Sequence, residues 1–218
     1  MSSLISKIKS VGFDLDNTLY QENSKIDKEL QRVICERILE RKPDFESIQN
    51  VENYCKKRYG LLGSRVMVFE ELGFANPKKT MYECLLEADI HFFLEQDLEV
   101  ASLIFEVSER YSTFLITSGP EDLSLAKMNK IGIDISLFDF SLFGDSPEFI
   151  SKLNGQAFEY FLSQSKYPPS HHLYCGDNLK ADILPPKSLG MMTIAVGKEI
   201  PEADFSVKKI KDIREILL

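Results

Sequence analysis

The sequence lacks several features that mark whole classes of protein. Its four cysteines include no CxxC pair, which argues against a zinc ribbon and against a thioredoxin-like site. We expect these residues to be reduced thiols of a cytoplasmic protein; they are Cys35, Cys55, Cys84 and Cys175. No apolar run approaches the roughly 18 residues that a membrane-spanning helix needs. Residues 1–10 include two lysines but no apolar segment, so we expect no signal peptide.

Positive charge is also scarce. The chain has 26 lysines and arginines against 34 aspartates and glutamates, a formal net charge of −8. Binding to a nucleic-acid polymer requires a basic surface, so we expect no such partner. A small phosphorylated ligand needs only a few local cations and stays compatible with this balance. With 218 residues, the chain is long enough for one domain that carries a sizeable insertion.

The hydrophobic pattern divides the chain into a core and an insertion. Apolar residues up to Phe13 predict a buried first strand, whereas residues 21–97 have helical spacing and no convincing strand. Beyond this stretch, strands alternate with helices, which is typical of a parallel sheet. We therefore predict an α/β Rossmann-like parallel sheet with helices on both faces, formed by residues 1–20 and 98–218. Residues 21–97 would form an inserted helical domain.

Acidic residues follow two of the predicted strands, at the sheet edge where parallel α/β folds bind ligands. Asp14 and Asp16 come directly after the first strand, and their spacing lets both side chains face one side of an extended chain. Asp177 and Asp182 follow the fourth strand. Such a cluster is costly unless it holds a cation or takes up protons. Oxygen ligands without histidine or cysteine favour Mg²⁺.

Groups suited to binding an anion come from the same edge. Thr117, Ser118 and Gly119 follow the second strand and lead into a helix predicted near Glu121. The N-terminus of that helix would present free N–H groups and the positive end of its dipole. Lys152 would add a full positive charge. Carboxylates, Mg²⁺, a hydroxyl and a lysine together indicate phosphoryl transfer.

Four segments resemble the motifs of the haloacid dehalogenase (HAD) superfamily, in that family's order. They are DLDNT at 14–18, LITSG at 115–119, Lys152, and GDNLKAD at 176–182. The helical insertion resembles the family's small α-helical cap of the C1 type. The nearest subgroup is the pyrimidine 5′-nucleotidases, which the sequence resembles through DLDNTLY at 14–20, Tyr54 and residues 59–61.

The resemblance implies a role for each matched residue. Asp14 would be the nucleophile and form an aspartyl-phosphate, while Asp16 would be the general acid and base. The catalytic set would be completed by Thr117 and Lys152. The phosphoryl oxygens would be held by Thr117, Ser118, Gly119 and Lys152. Mg²⁺ would be ligated by Asp14, the carbonyl of Asp16, Asp177 and Asp182.

The implied function is a Mg²⁺-dependent phosphatase for a small soluble phosphate monoester, with a nucleoside 5′-monophosphate as first candidate. A sugar-phosphate or phosphoglycolate-type phosphatase and a phosphoryl mutase are alternatives. A dehalogenase has no leaving oxygen to protonate, so Asp16 argues against it. From another class, a non-enzymatic phospho-acceptor or binding module stays open. The protein would act as a monomer or homodimer.

Four features fit the resemblance less well or not at all. Leu153 stands where the family usually has proline, and Pro185 and Pro186 follow Asp182 closely, which leaves the placement of Asp182 open. The adjacent histidines His171 and His172 are expected to be a surface pair at the start of a strand. The basic run that closes the chain is expected to be a solvated helix face; it comprises Lys208, Lys209 and Lys211.

Overall fold

The structure is a computed structural model that describes residues 5–21, 23–88 and 90–218. Residues 1–4, which belong to the segment that we expect not to be a signal peptide, lie outside this description. The chain divides into two compact units. One lies within residues 1–22 and Glu95–Leu218, and we call it the core unit. The other, the helical unit, lies within Asn23–Leu94.

The helical unit is built from short amphipathic helices. They are α1 (Ser24–Arg41), α2 (Ile48–Leu62), α3 (Arg65–Glu71) and α4 (Pro77–Glu87), with 3₁₀ turns at Pro43–Phe45 and Ile90–Phe93. Asn23 and Ser47 begin α1 and α2 by accepting hydrogen bonds from backbone N–H groups that lack a partner within the helix. Gly63 ends α2 in the left-handed conformation, with φ of 74°, which glycine adopts without strain.

The core unit contains a six-stranded sheet in which every described pairing is parallel. Its strands are β1 (Ser10–Phe13), β2 (Ser112–Ile116), β3 (Phe140–Leu142), β4 (His172–Gly176), β5 (Met192–Val196) and β6 (Phe205–Val207). The order is β3-β2-β1-β4-β5-β6, so Phe13 at the end of β1 pairs with both Leu115 and Cys175. The predicted Rossmann-like α/β fold is confirmed, and β1 lies at the centre of its sheet.

Helices lie before β2, between later strands and after β6. They are α5 (Leu98–Ser108), α6 (Glu121–Ile131), α7 (Gln156–Gln164), α8 (Leu184–Ser188) and α9 (Arg214–Leu217), with 3₁₀ turns at Ile135–Leu137, Pro169–His171 and Ile210–Ile213. Lys208 and Lys209 precede the last of these turns, so the prediction that they lie on a helix face is wrong. Within the described residues, no helix is long and apolar enough to cross a membrane.

Aromatic side chains fill the space between the sheet and α7. Phe114 of β2 stacks on Phe161 of α7 with ring centroids 3.8 Å apart. His172 lies edge-on to both rings and is fully buried, so the prediction of a surface pair is wrong for this histidine. Its Nε2 atom lies 3.1 Å from the carbonyl of Tyr167 and 3.0 Å from the Ser165 hydroxyl. This cluster supports β1 and its neighbouring strands from one face.

Candidate active site

The end of β1 is shaped by its hydrogen bonds to the neighbouring strand and by a sharp turn. The Asp14 N–H donates to the carbonyl of Cys175 at 2.9 Å, which continues the ladder between β1 and β4 by one residue. Asn17 adopts a left-handed conformation with φ of 60°, which asparagine tolerates better than most residues. The chain then turns back, and the Thr18 hydroxyl donates to Asp14 Oδ2 at 3.3 Å. The Asp14 side chain is therefore fixed at the centre of the sheet edge.

The end of β4 supplies two further carboxylates, of which Asp182 is the more buried. Asp182 belongs to a π turn, Leu179–Ile183, and its Oδ2 accepts a hydrogen bond from the N–H of Asn178 at 3.0 Å. The Asn178 side chain in turn accepts from two N–H groups at the start of the same turn. A Cβ on Gly176 would lie 2.3 Å from that of Asp182, so only glycine allows this approach.

The two prolines that follow Asp182 are accommodated in the first turn of α8. Pro185 and Pro186 occupy its N-terminal positions, where the N–H that proline lacks would have no partner within the helix. They cannot donate to the carbonyls four residues earlier, which gives a reason why the chain forms a π turn before α8 begins. The prolines therefore do not displace Asp182, which is 1% exposed.

Three carboxylates lie close together, and two of them pair with one lysine. One oxygen from each of Asp14, Asp177 and Asp182 lies within 4.8 Å of the others. The Lys152 ammonium lies 2.6 Å from Asp14 Oδ1 and forms an ion pair with Asp182. Burial and the neighbouring carboxylates raise the pKa of Asp14 well above its ordinary value, although Lys152 opposes the shift. Burial, then Asp182, raises the pKa of Asp177 to about 6.

Lys152 is itself buried, at 4% exposure, in the segment between β3 and α7. Burial disfavours its charge, but Asp14 and Asp182 outweigh this cost and raise the pKa of Lys152 well above its ordinary value. Its ammonium also lies 5.4 Å from the centre of the Tyr174 ring. Leu153, which departs from the family pattern, does not prevent this placement. Lys152 is thus a fixed positive charge against the nucleophile candidate.

Asp16 has different partners, one of which the sequence analysis missed. Lys127 of α6 is 2% exposed, and its ammonium lies 2.5 Å from Asp16 Oδ1, to which the Tyr20 hydroxyl also donates. Burial would raise the pKa of Asp16, but Lys127 and Tyr20 outweigh it and lower that pKa. A signal was present, since Lys127 lies midway between Leu123 and Ile131 on the buried face of α6.

The end of β2 differs from the expected anion site. Thr117 is fully buried, and its hydroxyl oxygen accepts a hydrogen bond from the N–H of Gly119 at 3.1 Å, while Ser118 is exposed. At the start of α6, the N–H of Glu121 donates to the Asp145 carboxylate at 2.9 Å. The N–H of Leu123 donates to the side chain of Asp122. The expectation that this terminus offers free N–H groups is wrong for these two positions.

The carboxylate cluster fits a divalent cation. Asp14, Asp177 and Asp182 with Lys152 sum to a formal charge of −2, which a divalent cation would neutralise. Within the described residues, Oδ1 of Asp182 is buried and accepts no well-directed hydrogen bond, although Lys152 is in ion-pair contact. All the side-chain donor atoms are carboxylate oxygens, the ligands that Mg²⁺ prefers.

Comparison with known families agrees with this geometry. The model of the haloacid dehalogenase-like hydrolase family matches residues 8–190. The chain belongs to this family. No curated protein matches the sequence significantly.

Solved structures similar to this HAD-like hydrolase include proteins with different activities. A HAD phosphatase from Thermococcus onnurineus has a TM-score of 0.68 at 23% identity, over 96% of this chain and 98% of that one. A 2-haloacid dehalogenase from Pseudomonas syringae pv. Tomato DC3000 has a TM-score of 0.57 at 20% identity, over 96% and 98%. A Bacillus subtilis protein solved with bound magnesium has a TM-score of 0.59 at 16% identity, over 96% and 98%. These likenesses concern the fold, so the reaction has to be argued from the site.

Proposed function

We propose that this HAD-like hydrolase is a Mg²⁺-dependent phosphatase of small soluble phosphate monoesters. The observation that carries the proposal is the cluster of Asp14, Asp177 and Asp182, in which buried Lys152 pairs with Asp14 and Asp182, while Asp16 is held separately by Lys127. A nucleophile beside a fixed cation and a second, independently held carboxylate are the two groups that two-step ester hydrolysis requires.

In the first step, an Asp14 carboxylate oxygen attacks phosphorus and the bond to the ester oxygen breaks. Asp16 gives its proton to the departing oxygen, which leaves as an alcohol. In the second step, water attacks the aspartyl-phosphate and loses a proton to Asp16. Inorganic phosphate leaves, and Asp14 regains its carboxylate. Because Lys127 and Tyr20 contact Asp16 and lower its pKa, Asp16 has to leave these partners and take up a proton before it can act as the acid.

The remaining residues position the phosphoryl group. Lys152 stabilises the charge on its oxygens, together with the Thr117 hydroxyl and the N–H groups of Ser118 and Gly119. The Gly119 N–H would have to release the Thr117 oxygen, to which it donates in the structure. Asp14, the Asp16 carbonyl, Asp177 and Asp182 would hold Mg²⁺. When bound, this ion supplies Lewis-acid stabilisation of phosphoryl charge.

The leaving oxygen separates this reaction from that of a dehalogenase of similar fold. A dehalogenase expels halide and needs no proton donor there, whereas the role we propose for Asp16 is to protonate a leaving oxygen. For the substrate, we put a nucleoside 5′-monophosphate first on the resemblance of residues 14–20, and sugar phosphates or phosphoglycolate second.

We further propose that the helical unit is a C1-type cap that excludes water and selects substrates by shape. The four free cysteines support a cytoplasmic location.

The decisive test is hydrolysis of p-nitrophenyl phosphate in Mg²⁺ and in EDTA. We expect turnover that requires Mg²⁺ in the wild type and in the control Asp44→Asn, an exposed aspartate of the helical unit. Asp14→Asn should lose turnover altogether. Activity that survives in Asp14→Asn would overturn the nucleophile assignment. A stable phosphorylated Asp14 without turnover would instead identify a phospho-acceptor module.

A further inference from the structure

A cavity of the core unit adjoins the acidic cluster. Its volume is about 360 Å³, within the range of sites for small ligands. Asp177 belongs both to the acidic cluster and to the lining of this cavity, and Asn17 of the turn after β1 lines it too. Four lysines also line the cavity, namely Lys198, Lys208, Lys209 and Lys211. We call this space the lysine cavity.

The lysines come together because β5 and β6 are neighbouring parallel strands. Val196 at the end of β5 pairs with Val207 at the end of β6. Lys198 lies two residues beyond the first of these valines, and Lys209 lies two residues beyond the second. The parallel pairing therefore brings both lysines to the same edge of the sheet as Asp177, which follows β4. Lysines from the segments after two neighbouring strands thus form one positively charged surface.

Three of these lysines form no ion pair, although Lys198 still acts electrostatically on Asp177 and Lys209 on Glu99. Lys211 forms an ion pair with Glu99. In contrast, the ammonium groups of Lys198, Lys208 and Lys209 make no ion pair within residues 5–21, 23–88 and 90–218. This is notable in a chain whose formal net charge is −8, where carboxylates outnumber cations.

The acidic groups of the lysine cavity are already committed. The Asp97 side chain accepts hydrogen bonds from the N–H groups of Glu99 and Val100, both at 3.1 Å, and so caps α5. Asp177 faces Asp14 and Asp182 in the acidic cluster. The lining still has four lysines against two carboxylates, those of Asp97 and Asp177, so its formal charge is positive and favours an anionic occupant.

We propose that the lysine cavity binds a second anionic group, the phosphate or carboxylate that a substrate carries on its leaving group. This proposal rests on the proposed phosphatase function, because it assigns one end of the ligand to Asp14. Asp177 belongs to both sites, so one small ester can extend from the acidic cluster into the lysine cavity. Esters with an anionic leaving group are then preferred over esters whose leaving group is neutral, so among the substrates proposed above the cavity favours phosphoglycolate over a nucleoside 5′-monophosphate.

The test uses pairs of esters that differ in one carboxylate. 3-Phosphoglycerate is compared with glycerol 3-phosphate, and 6-phosphogluconate with sorbitol 6-phosphate, so that two distances are sampled. Binding is measured by calorimetry in Mg²⁺ with Asp14→Asn, which cannot turn the esters over. We expect the anionic member of at least one pair to bind about tenfold tighter or more, as charge-assisted hydrogen bonds predict.

A matched set of variants assigns this preference to the cavity. In the Asp14→Asn background, adding Lys198→Met and Lys208→Met should abolish the preference. The control pair, Lys130→Met and Lys166→Met, removes the same charge from exposed positions outside the cavity and should retain it. A general charge effect would reduce the preference equally in both proteins and would overturn the proposal.

Inorganic phosphate distinguishes a substrate group from a free anion. If the paired esters bind equally but phosphate shows a second binding event that requires Lys198 and Lys208, the cavity is an anion site for a free ligand. If neither preference nor second event is found, the proposal is wrong. Because these measurements do not depend on turnover, they stand even if the wild type fails to hydrolyse p-nitrophenyl phosphate, which would overturn the phosphatase function alone.

Discussion

The two units of the molecule use charged residues in opposite ways. In the helical unit, Arg32 pairs with Glu29 and Glu36 along the surface of α1, and its side chain is 48% exposed. In the core unit, the side chain of Lys152 is 3% exposed, as is that of Lys127. Surface pairs are screened by solvent and contribute little to stability, whereas burying a charge carries a large desolvation cost. We therefore expect the buried charges of the core unit to serve the reaction, and four variants test this.

The largest effect is expected from Lys152→Met. Without this ammonium, Asp14 and Asp182 lose the cation that compensates their burial, and the phosphoryl group loses a ligand. We expect kcat for p-nitrophenyl phosphate to fall about 100- to 1,000-fold. The free energy of unfolding in EDTA should fall by about 3 kcal/mol, measured by urea titration. Lys187→Met, which removes a half-exposed lysine paired with Asp204, is the control. Equal stability of the two variants would contradict this account.

Lys127→Met should have the next largest effect. The variant frees Asp16 from its buried partner, and a misplaced general acid costs rate more than it costs substrate binding. We expect kcat to fall about 10- to 100-fold with little change in KM. Lys127→Arg should recover part of this loss because it restores a cation on α6. Lys130→Met, an exposed lysine of the same helix, serves as the reference. A kcat like that of the reference variant would show that Lys127 has no positioning role.

His172→Gln tests a buried group without a charge partner. Burial lowers the pKa of His172, and within the described residues its Nδ1 has no acceptor for a second proton. Below about pH 6.5 the His172 side chain therefore takes up a proton in the unfolded chain but not in the folded chain. Stability is thus complete above this pH and is lost as the pH falls.

The measurement compares the two proteins by urea titration at pH 7.5 and pH 5.5 in saturating Mg²⁺, which keeps the acidic cluster in one state. Wild type should lose about 1 kcal/mol more than His172→Gln over this interval. Glutamine retains a donor for the Tyr167 carbonyl, so the difference reports titration. Parallel pH profiles would exclude His172 as the source.

The smallest effect is expected from Arg32→Ala in the helical unit. Its ion pairs are exposed, so removing them should leave the midpoint of urea unfolding unchanged within measurement and kcat unaffected. A loss of stability comparable to that of Lys152→Met would remove the distinction between the two units.

The sequence alone supported the fold and much of the site because both follow from local order along the chain. Alternating strands and helices predict a parallel sheet, and residues directly after a strand must lie at its carboxyl edge. The positions of Asp14 and Asp177 in the sequence were therefore enough to predict that they lie together. Those of Lys127 and Asp16 were not, because their contact depends on which face of α6 meets the sheet. The burial of His172 was not predicted either, because it depends on how α7 packs against the sheet.

Local sequence patterns were enough to predict the family, the parallel sheet and the acidic character of its central edge, since each is encoded by neighbouring residues. The folded structure was needed to show that Gly176 admits Asp182 and that Asp145 accepts a hydrogen bond from the start of α6. It was also needed to show that lysines after two different strands line one cavity. These contacts depend on how the loops after the strands turn and pack against each other, and no local pattern of residue types records that packing.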